Sequence, residues 1–114
     1  MLLYYEAITR RMAYVGSTQL LTSGQTWTSG TMSADRADNV TGLVFANPGG
    51  TLYIEQSADG SNWDLSESVT VVANTGQGFS KSVFAPFVRL RYVNGGADQT
   101  VFRISGKFSS AGDS

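Results

Sequence analysis

The chain has 114 residues, a formal net charge of -1, no cysteine and no histidine. The lack of cysteine excludes disulfides and thiolate metal sites, and the lack of histidine removes the commonest general base and the commonest metal ligand. The eight Lys and Arg residues are spread along the sequence, so it lacks the basic patch of a nucleic-acid-binding surface, and we predict no nucleic acid partner.

Residues 1–39 form the least regular third of the sequence. Apolar residues recur at intervals of three and four from Met1 to Val15, which is compatible with a short amphipathic helix, whereas the Tyr, Thr and Val residues of the same stretch suit an extended strand. Residues 16–39 are rich in Ser, Thr and Gly and could add one or two strands to a sheet or lie as an arm on a neighbouring subunit. The start lacks the features of a secretory signal, and no run reaches the roughly 20 apolar residues of a membrane span, so we expect neither export by that route nor a membrane partner.

From residue 40 to residue 108 the sequence predicts short strands separated by turns rich in Gly, Asn, Asp and Pro. The alternation is clearest at the fifth strand, where Val88, Leu90 and Tyr92 are expected to face the core and Arg89 and Arg91 to face outward. The predicted strands are 40–46, 51–57, 65–73, 79–84, 87–94 and 100–108.

These strands follow one another at about ten-residue spacing with no helix-length segment between them. We therefore predict an all-β fold, an antiparallel β-sandwich or jelly-roll-like domain with an N-terminal extension. Residues 1–39 form the arm and the first strand or strands, 40–108 the sandwich core, and 109–114 a flexible tail.

Four carboxylates lie near the loop before the third predicted strand: Glu55, Asp59, Asp64 and Glu67. Two suitably spaced carboxylates can hydrolyse a glycoside, but a domain of this size has little room for the deep cleft that such chemistry needs, so we predict no enzyme. The run 59–64 lacks the alternating ligands and closing Glu of a calcium loop, and we interpret it as a plain turn. No metal and no cofactor is predicted.

Three aromatic residues, Trp27, Tyr53 and Trp63, could form a platform on which a sugar ring stacks. For Trp63 we favour a role in closing one end of the sandwich. Arg103 could extend the outward-facing arginines into a basic stripe, or these side chains could pair with acidic groups across subunits. The candidates for exposed contact with a partner are Trp27, Arg89 and Arg91.

Five stretches carry a resemblance to a known class of protein: TGLVFA (41–46), GTLYIEQS (50–57), DGSNWD (59–64), APFVRLRYVNG (85–95) and QTVFR (99–103). They resemble small β-sandwich structural proteins encoded among the virion genes of tailed bacteriophages, several of which are head decoration or minor structural proteins. The resemblance covers residues 40–105 and rests on strands and turns, and the N-terminal third has no counterpart in it.

The resemblance implies a capsid decoration protein that binds the major capsid protein and stabilises the head lattice. It implies that the protein is located on the capsid surface and that it resides in the host cytoplasm before assembly. It also implies a homotrimer, in which closed symmetry gives each arm an equivalent neighbour. The low charged content, 15% against about 25% in an ordinary domain, fits a surface covered by a partner. The alternative is a head-fibre, tail or baseplate module that binds host-surface glycans. The attachment surface is predicted in the arm, at Leu2, Leu3, Tyr4, Tyr5, Ile8, Arg10, Arg11 and Met12.

Overall fold

The computed structural model describes residues 13–34 and 37–109, which form strands joined by turns and loops. The strands are β1 Ala13–Ser17, β2 Thr26–Thr28, β3 Met32–Ser33, β4 Asn39–Asn47, β5 Gly50–Ser57, β6 Leu65–Val71, β7 Gln77–Ser82, β8 Phe87–Asn94 and β9 Val101–Ser109. In this described part of the chain, no helix is long and apolar enough to cross a membrane.

The strands form two antiparallel sheets that pack into a sandwich, which confirms the predicted fold class. Sheet A has the order β1-β9-β4-β7, and sheet B has the order β2-β8-β5-β6, with β3 also paired to β8. If β2 and β3 count as one interrupted strand, each sheet has four positions, the number found in each half of an eight-stranded jelly roll.

The two-residue period of the strands decides which side chains fill the sandwich. On β8, Leu90 and Tyr92 are fully buried, and their register partners on β5 are Ile54 and Leu52, which are also fully buried. Tyr92 meets Phe102 of sheet A with ring centroids 5.0 Å apart, so the two layers interdigitate. Sheet A supplies the other buried layer: Val40, Val44, Ala46, Phe79, Phe102, Ile104 and Phe108.

Two glycines in sheet A make room for a large side chain. Gly42 and Gly106 are register partners on β4 and β9. A Cβ on Gly42 would lie 2.5 Å from Cζ of Phe79, so the Phe79 ring occupies the space that a larger residue would need. Leu90 of sheet B reaches the same place, because its Cδ1 lies 2.9 Å from where a Cβ on Gly106 would be.

Buried amides close one end of the sandwich, which we call the Asn94 end. The Nδ2 of Asn94 donates hydrogen bonds to the carbonyl oxygens of Thr22 and Ala97, both at 2.8 Å. The Oε1 of Gln99 accepts a hydrogen bond from the backbone N–H of Leu21 at 2.7 Å. These bonds fasten the segment after β1 to the segment after β8.

The segment assigned to the arm and first strands is in part built into the sheets. β1 is an edge strand of sheet A, and β2 and β3 both pair with β8 in sheet B. Val15 lies on β1, so the helical interpretation is wrong at that residue and the extended one is right. Ser109, assigned to the tail, is the last residue of β9. Residues 1–12 and 110–114 lie outside the described part of the chain.

Candidate functional site

A cluster of charged and aromatic side chains, which we call the arginine cluster, lies on the outer face of sheet B. It consists of Glu55 and Tyr53 on β5, Arg89 and Arg91 on β8, and Trp63 from the loop before β6. Glu55 and Tyr53 are the register partners of Arg89 and Arg91, so the four side chains share one face. The Oε1 of Glu55 accepts a hydrogen bond from Nε of Arg89 at 2.7 Å, and its Oε2 accepts one from Nη2 of Arg91 at 2.9 Å. One carboxylate therefore orients two guanidinium groups.

The carboxylate of this cluster lies beneath the arginines. Glu55 is 5% exposed, whereas the side chains of Arg89 and Arg91 are 28% and 30% exposed. Burial alone would raise the pKa of Glu55, but the hydrogen bonds from Arg91 and Arg89 outweigh burial and hold that pKa below its usual value. The hydrogen bond to Glu55 in turn raises the pKa of Arg91. Glu55 is thus ionised at neutral pH and has no proton to give, which removes it as the general acid of a glycosidase.

Aromatic rings hold both guanidinium groups in place. The Cζ of Arg89 lies 4.3 Å from the ring centroid of Trp63, and the Cζ of Arg91 lies 4.2 Å from that of Tyr53, both cation–π distances. One face of each ring is therefore covered by an arginine and is closed to a sugar. The expectation that Trp63 closes an end of the sandwich is wrong, because its ring stacks on an arginine that projects from the outer face of sheet B.

Two other residues that the sequence singled out lie elsewhere. Trp27 is the register partner of the buried Tyr92, so it faces inward and packs, partly buried, against the core. Its prediction as an exposed contact is wrong, because the polar residues around it take the outward positions of β2. Arg103 lies on β9 in sheet A, with its Cζ 4.6 Å from the ring centroid of Phe45. It is on the opposite outer face and cannot extend the arginine cluster into a stripe.

Asp59 fixes the loop between β5 and β6. Its Oδ1 accepts hydrogen bonds from the backbone N–H groups of Asn62 and Ser61, each at 2.8 Å, and its Oδ2 accepts one from Nδ2 of Asn62 at 2.7 Å. These bonds lower the pKa of Asp59. Both carboxylate oxygens are thus engaged in a turn, as the sequence predicted. Within residues 13–34 and 37–109, no group of three or more acidic residues is placed to hold a metal ion.

The two ends of the described chain leave the sandwich together, at what we call the termini end. Ala13 and Phe108 are register partners, so β1 begins where β9 finishes. The loop 83–86, which joins β7 to β8, lies at this end too, because Asn39 at the start of β4 pairs with both Ser82 and Ser109. Phe84 in this loop is 77% exposed.

A buried amide fixes the backbone of loop 83–86. Gln56 is 1% exposed, and its Oε1 accepts hydrogen bonds from the N–H groups of Phe84 at 2.7 Å and Ala85 at 3.2 Å. Its Nε2 donates to the carbonyl oxygen of Ser82 at 2.8 Å. Phe84 is the last residue of the predicted strand 79–84, and no role was predicted for Gln56. Pro86 could have indicated that Phe84 lies in a loop. A proline interrupts the hydrogen-bond ladder of a strand, so the residues just before it need not follow the inward and outward alternation of strand residues.

A second exposed apolar area lies on the outer face of sheet A. Tyr14 is 68% exposed and Leu43 is 53% exposed. Small residues of β1 and β9, including Gly16 and Ser105, indent this face into an open groove of about 610 Å³ next to Leu43. Its exposed apolar residues were not among the predicted contacts.

The predicted attachment residues of the arm lie outside the described residues: Leu2, Leu3, Tyr4, Tyr5, Ile8, Arg10, Arg11 and Met12. The described chain begins at Ala13, at the termini end, next to the exposed Tyr14. The arm therefore connects to the sandwich at the end that carries Phe84.

The fold defines the class of this protein, a two-sheet antiparallel β-sandwich whose candidate sites lie on its outer faces and at one end. Residues 5–109 match the family described as the N-terminal domain of the uncharacterised protein YqxG, and the chain belongs to this family. A search among curated proteins gave no match.

Three solved structures that are similar to this chain are the following. The PBSX exported protein XepA is 22% identical with a TM-score of 0.78, over 88% of this chain and 37% of that chain. A protein of Bacillus endospore appendages, which form disulfide-linked pili, is 10% identical with a TM-score of 0.52, over 88% and 89%. A family 6 carbohydrate-binding module is 15% identical with a TM-score of 0.48, over 89% and 83%. At these identities the likeness to XepA and to the appendage protein shows the fold alone, and this chain spans little more than a third of the XepA chain.

Proposed function

We propose that the chain is a structural protein of a phage particle and, within that class, a capsid decoration protein that binds the major capsid protein. The resemblance of residues 40–105 to virion structural proteins supports this role. The fold shared with the exported protein XepA of phage PBSX supports a phage-related origin. The proposed location is the capsid surface, reached from the host cytoplasm.

The observation that carries the proposal is the exposed ring of Phe84 on a loop with a fixed backbone. Burial of a Phe side chain in a partner contributes about 1.5–3 kcal/mol. Because Gln56 already holds the loop, little conformational entropy is lost when the ring is buried. A large apolar side chain on a preorganised loop is well suited to anchor a protein interface.

In this proposal the arm contributes to the same attachment surface. Residues 1–12 join the sandwich at the termini end, and they include Leu2, Leu3 and Ile8, which can be buried against a partner. An extended arm can also add a strand to a neighbour's sheet through main-chain hydrogen bonds. In the proposed homotrimer, each arm has an equivalent neighbour to bind.

The test measures occupancy on capsids. Particles that lack the chain are incubated with the purified protein, and its density on the head is quantified by cryo-electron microscopy. Occupancy measured at a series of protein concentrations gives the dissociation constant, and we expect Phe84→Ser and deletion of residues 1–12 each to raise it by about tenfold or more, which corresponds to about 1.4 kcal/mol of binding free energy. The matched control is Leu20→Ser, since Leu20 is 51% exposed and adjoins Leu21 at the Asn94 end.

Unchanged occupancy of the control together with loss in the other two variants would support the proposal. Density found only at the tail tip would contradict it, and so would equal loss with Leu20→Ser. Glycan binding by the free chain that is abolished by Trp63→Ala would support the head-fibre, tail or baseplate alternative instead.

A further inference from the structure

The arginine cluster on sheet B carries an inference that is independent of the attachment surface at the termini end. We propose that this cluster binds the carboxylate of an Asp or Glu side chain on a protein partner. Three features of the cluster support this proposal: its available hydrogen-bond donors, its charge and the covered faces of its rings.

Both arginines keep donors for a ligand. Arg89 bonds to Glu55 through Nε, and neither of its Nη atoms donates to another residue of the described chain. Arg91 uses Nε and Nη2, which leaves Nη1 without an acceptor among the described residues. The two Nη atoms of one guanidinium form the planar fork that binds a carboxylate through two parallel hydrogen bonds.

The donors are also held in position. Glu55 anchors each guanidinium group on one side. The ring of Trp63 restricts out-of-plane movement of the Arg89 guanidinium, and the ring of Tyr53 does the same for Arg91. Free arginine side chains lose rotamer freedom when they bind, and these two have already lost much of it in the unbound protein.

The charge of the cluster fits one carboxylate. Two guanidinium groups and one carboxylate give the cluster a charge of +1, in a chain whose formal net charge is -1. A bound carboxylate neutralises the cluster, whereas a doubly charged phosphate would leave an excess negative charge next to the buried Glu55.

The covered rings favour a protein partner over an acidic polysaccharide. Sugars are bound in large part by stacking on open aromatic faces, and here Arg89 and Arg91 cover one face of Trp63 and of Tyr53. Exposed hydroxyl residues flank the cluster on β6, at Ser66, Ser68 and Thr70. Such a face suits a protein segment that brings an acidic side chain and backbone acceptors together.

The test uses the full chain free in solution at low salt. Tetraglutamate is titrated while the Nε–H signals of Arg89 and Arg91 are followed by NMR, and tetraglutamine and tetragalacturonate are titrated in parallel. We expect saturable shifts of both signals with tetraglutamate, no shifts with tetraglutamine, and at least tenfold weaker binding of tetragalacturonate.

Lysine variants separate the guanidinium fork from its charge. Arg89→Lys and Arg91→Lys keep the charge beside Glu55, and each should weaken tetraglutamate binding by about tenfold or more. Arg89→Lys removes the fork of two free Nη atoms, and Arg91→Lys removes the free Nη1 donor and the planar guanidinium that Glu55 orients. Arg103→Lys is the matched control on the opposite face and should change the affinity by less than about twofold.

The inference would be overturned if the arginine signals of the wild-type chain did not respond, if the control weakened binding equally, or if tetragalacturonate bound as tightly as tetraglutamate. No particle takes part in this experiment, so its failure would leave the proposed capsid attachment to be judged on its own test.

Discussion

The backbone N–H of Phe84 donates a hydrogen bond to Oε1 of Gln56 at 2.7 Å, although the Phe84 residue is 77% exposed and Gln56 is 1% exposed. The pair connects a core position of sheet B to a surface loop that joins the two sheets. Because the amide is buried, water competes little for this hydrogen bond. The exposed ring is thus presented on a backbone that the core itself positions.

Replacement of Gln56 by Leu should lower the free energy of unfolding by about 2–3 kcal/mol, because partly buried backbone groups around loop 83–86 lose their partner. Amide hydrogen exchange at Phe84 and Ala85 should become faster. Urea denaturation and exchange monitored by NMR measure the two effects. Gln77→Leu is the control, since the Nε2 of Gln77 donates to a carbonyl oxygen at the surface, and it should change stability by less than about 0.5 kcal/mol. Unaltered exchange in loop 83–86 would refute this assignment.

Glu55→Gln should change how stability depends on pH. The pKa of Glu55 is lowered on folding from its ordinary value of 4.5, so just below that pH the unfolded state binds more protons than the folded state. The stability that Glu55 contributes is complete above about pH 4.5 and is lost as the pH falls through the lowered pKa. The stability advantage of the wild type over the variant should therefore shrink on acidification.

Urea denaturation at a series of pH values measures this difference. Asp59, whose pKa is also lowered, is present in both proteins, so its contribution cancels. A difference between wild type and variant that stays constant through this range would show that Glu55 does not titrate as the structure indicates.

Gly42→Ala should destabilise the fold by about 1–3 kcal/mol, since the core must shift to accept the added methyl group. The new Cβ would lie 2.5 Å from Cζ of the buried Phe79 and 2.9 Å from Cα of Gly106. Gly78→Ala on the neighbouring strand is the control, because its nearest atom would be 3.8 Å away, an ordinary contact. Thermal denaturation of the two variants should separate them clearly, and equal stability would be inconsistent with this packing.

The two tryptophans should differ in their effect on stability. Trp27→Ala removes a side chain packed against the core and should lower the free energy of unfolding by about 2–3 kcal/mol. Trp63→Ala removes a ring that stacks on Arg89 at the surface and should lower it by about 1 kcal/mol. Chemical denaturation measures both losses of stability. A larger loss for Trp63→Ala than for Trp27→Ala would contradict the structure and favour the sequence-based prediction, in which Trp63 closes an end of the sandwich and Trp27 is an exposed contact.

The strands of residues 40–108 could be predicted from the sequence because their alternation is a local property. The predicted strand 87–94 coincides with β8, and its inward residues are the buried ones. Other strands agree within about two residues at their ends, where turn residues rather than alternation set the limit.

The sites could not be predicted because they depend on which strands become neighbours. Arg89 and Arg103 have the same outward position in their strands, yet they lie on opposite faces of the sandwich. Trp27 lies in polar sequence, and only the pairing of β2 with β8 turns it inward. One signal was present: Gln56 continues the inward series of Leu52 and Ile54, and an amide at a core position indicates buried hydrogen-bond partners.

Strand β9, the ninth of nine in the described chain, lies between β1 and β4 at the centre of sheet A. During synthesis, the first strand therefore has no hydrogen-bonding neighbour until almost the whole described sequence has left the ribosome. Sheet A can therefore be completed only after β9 has been synthesised, although β4 and β7 can pair earlier, and such distant pairing makes folding slow. A nascent chain stalled before residue 101 would expose the unpaired backbone edges of β1 and β4, which makes it a ready target for chaperones and proteases.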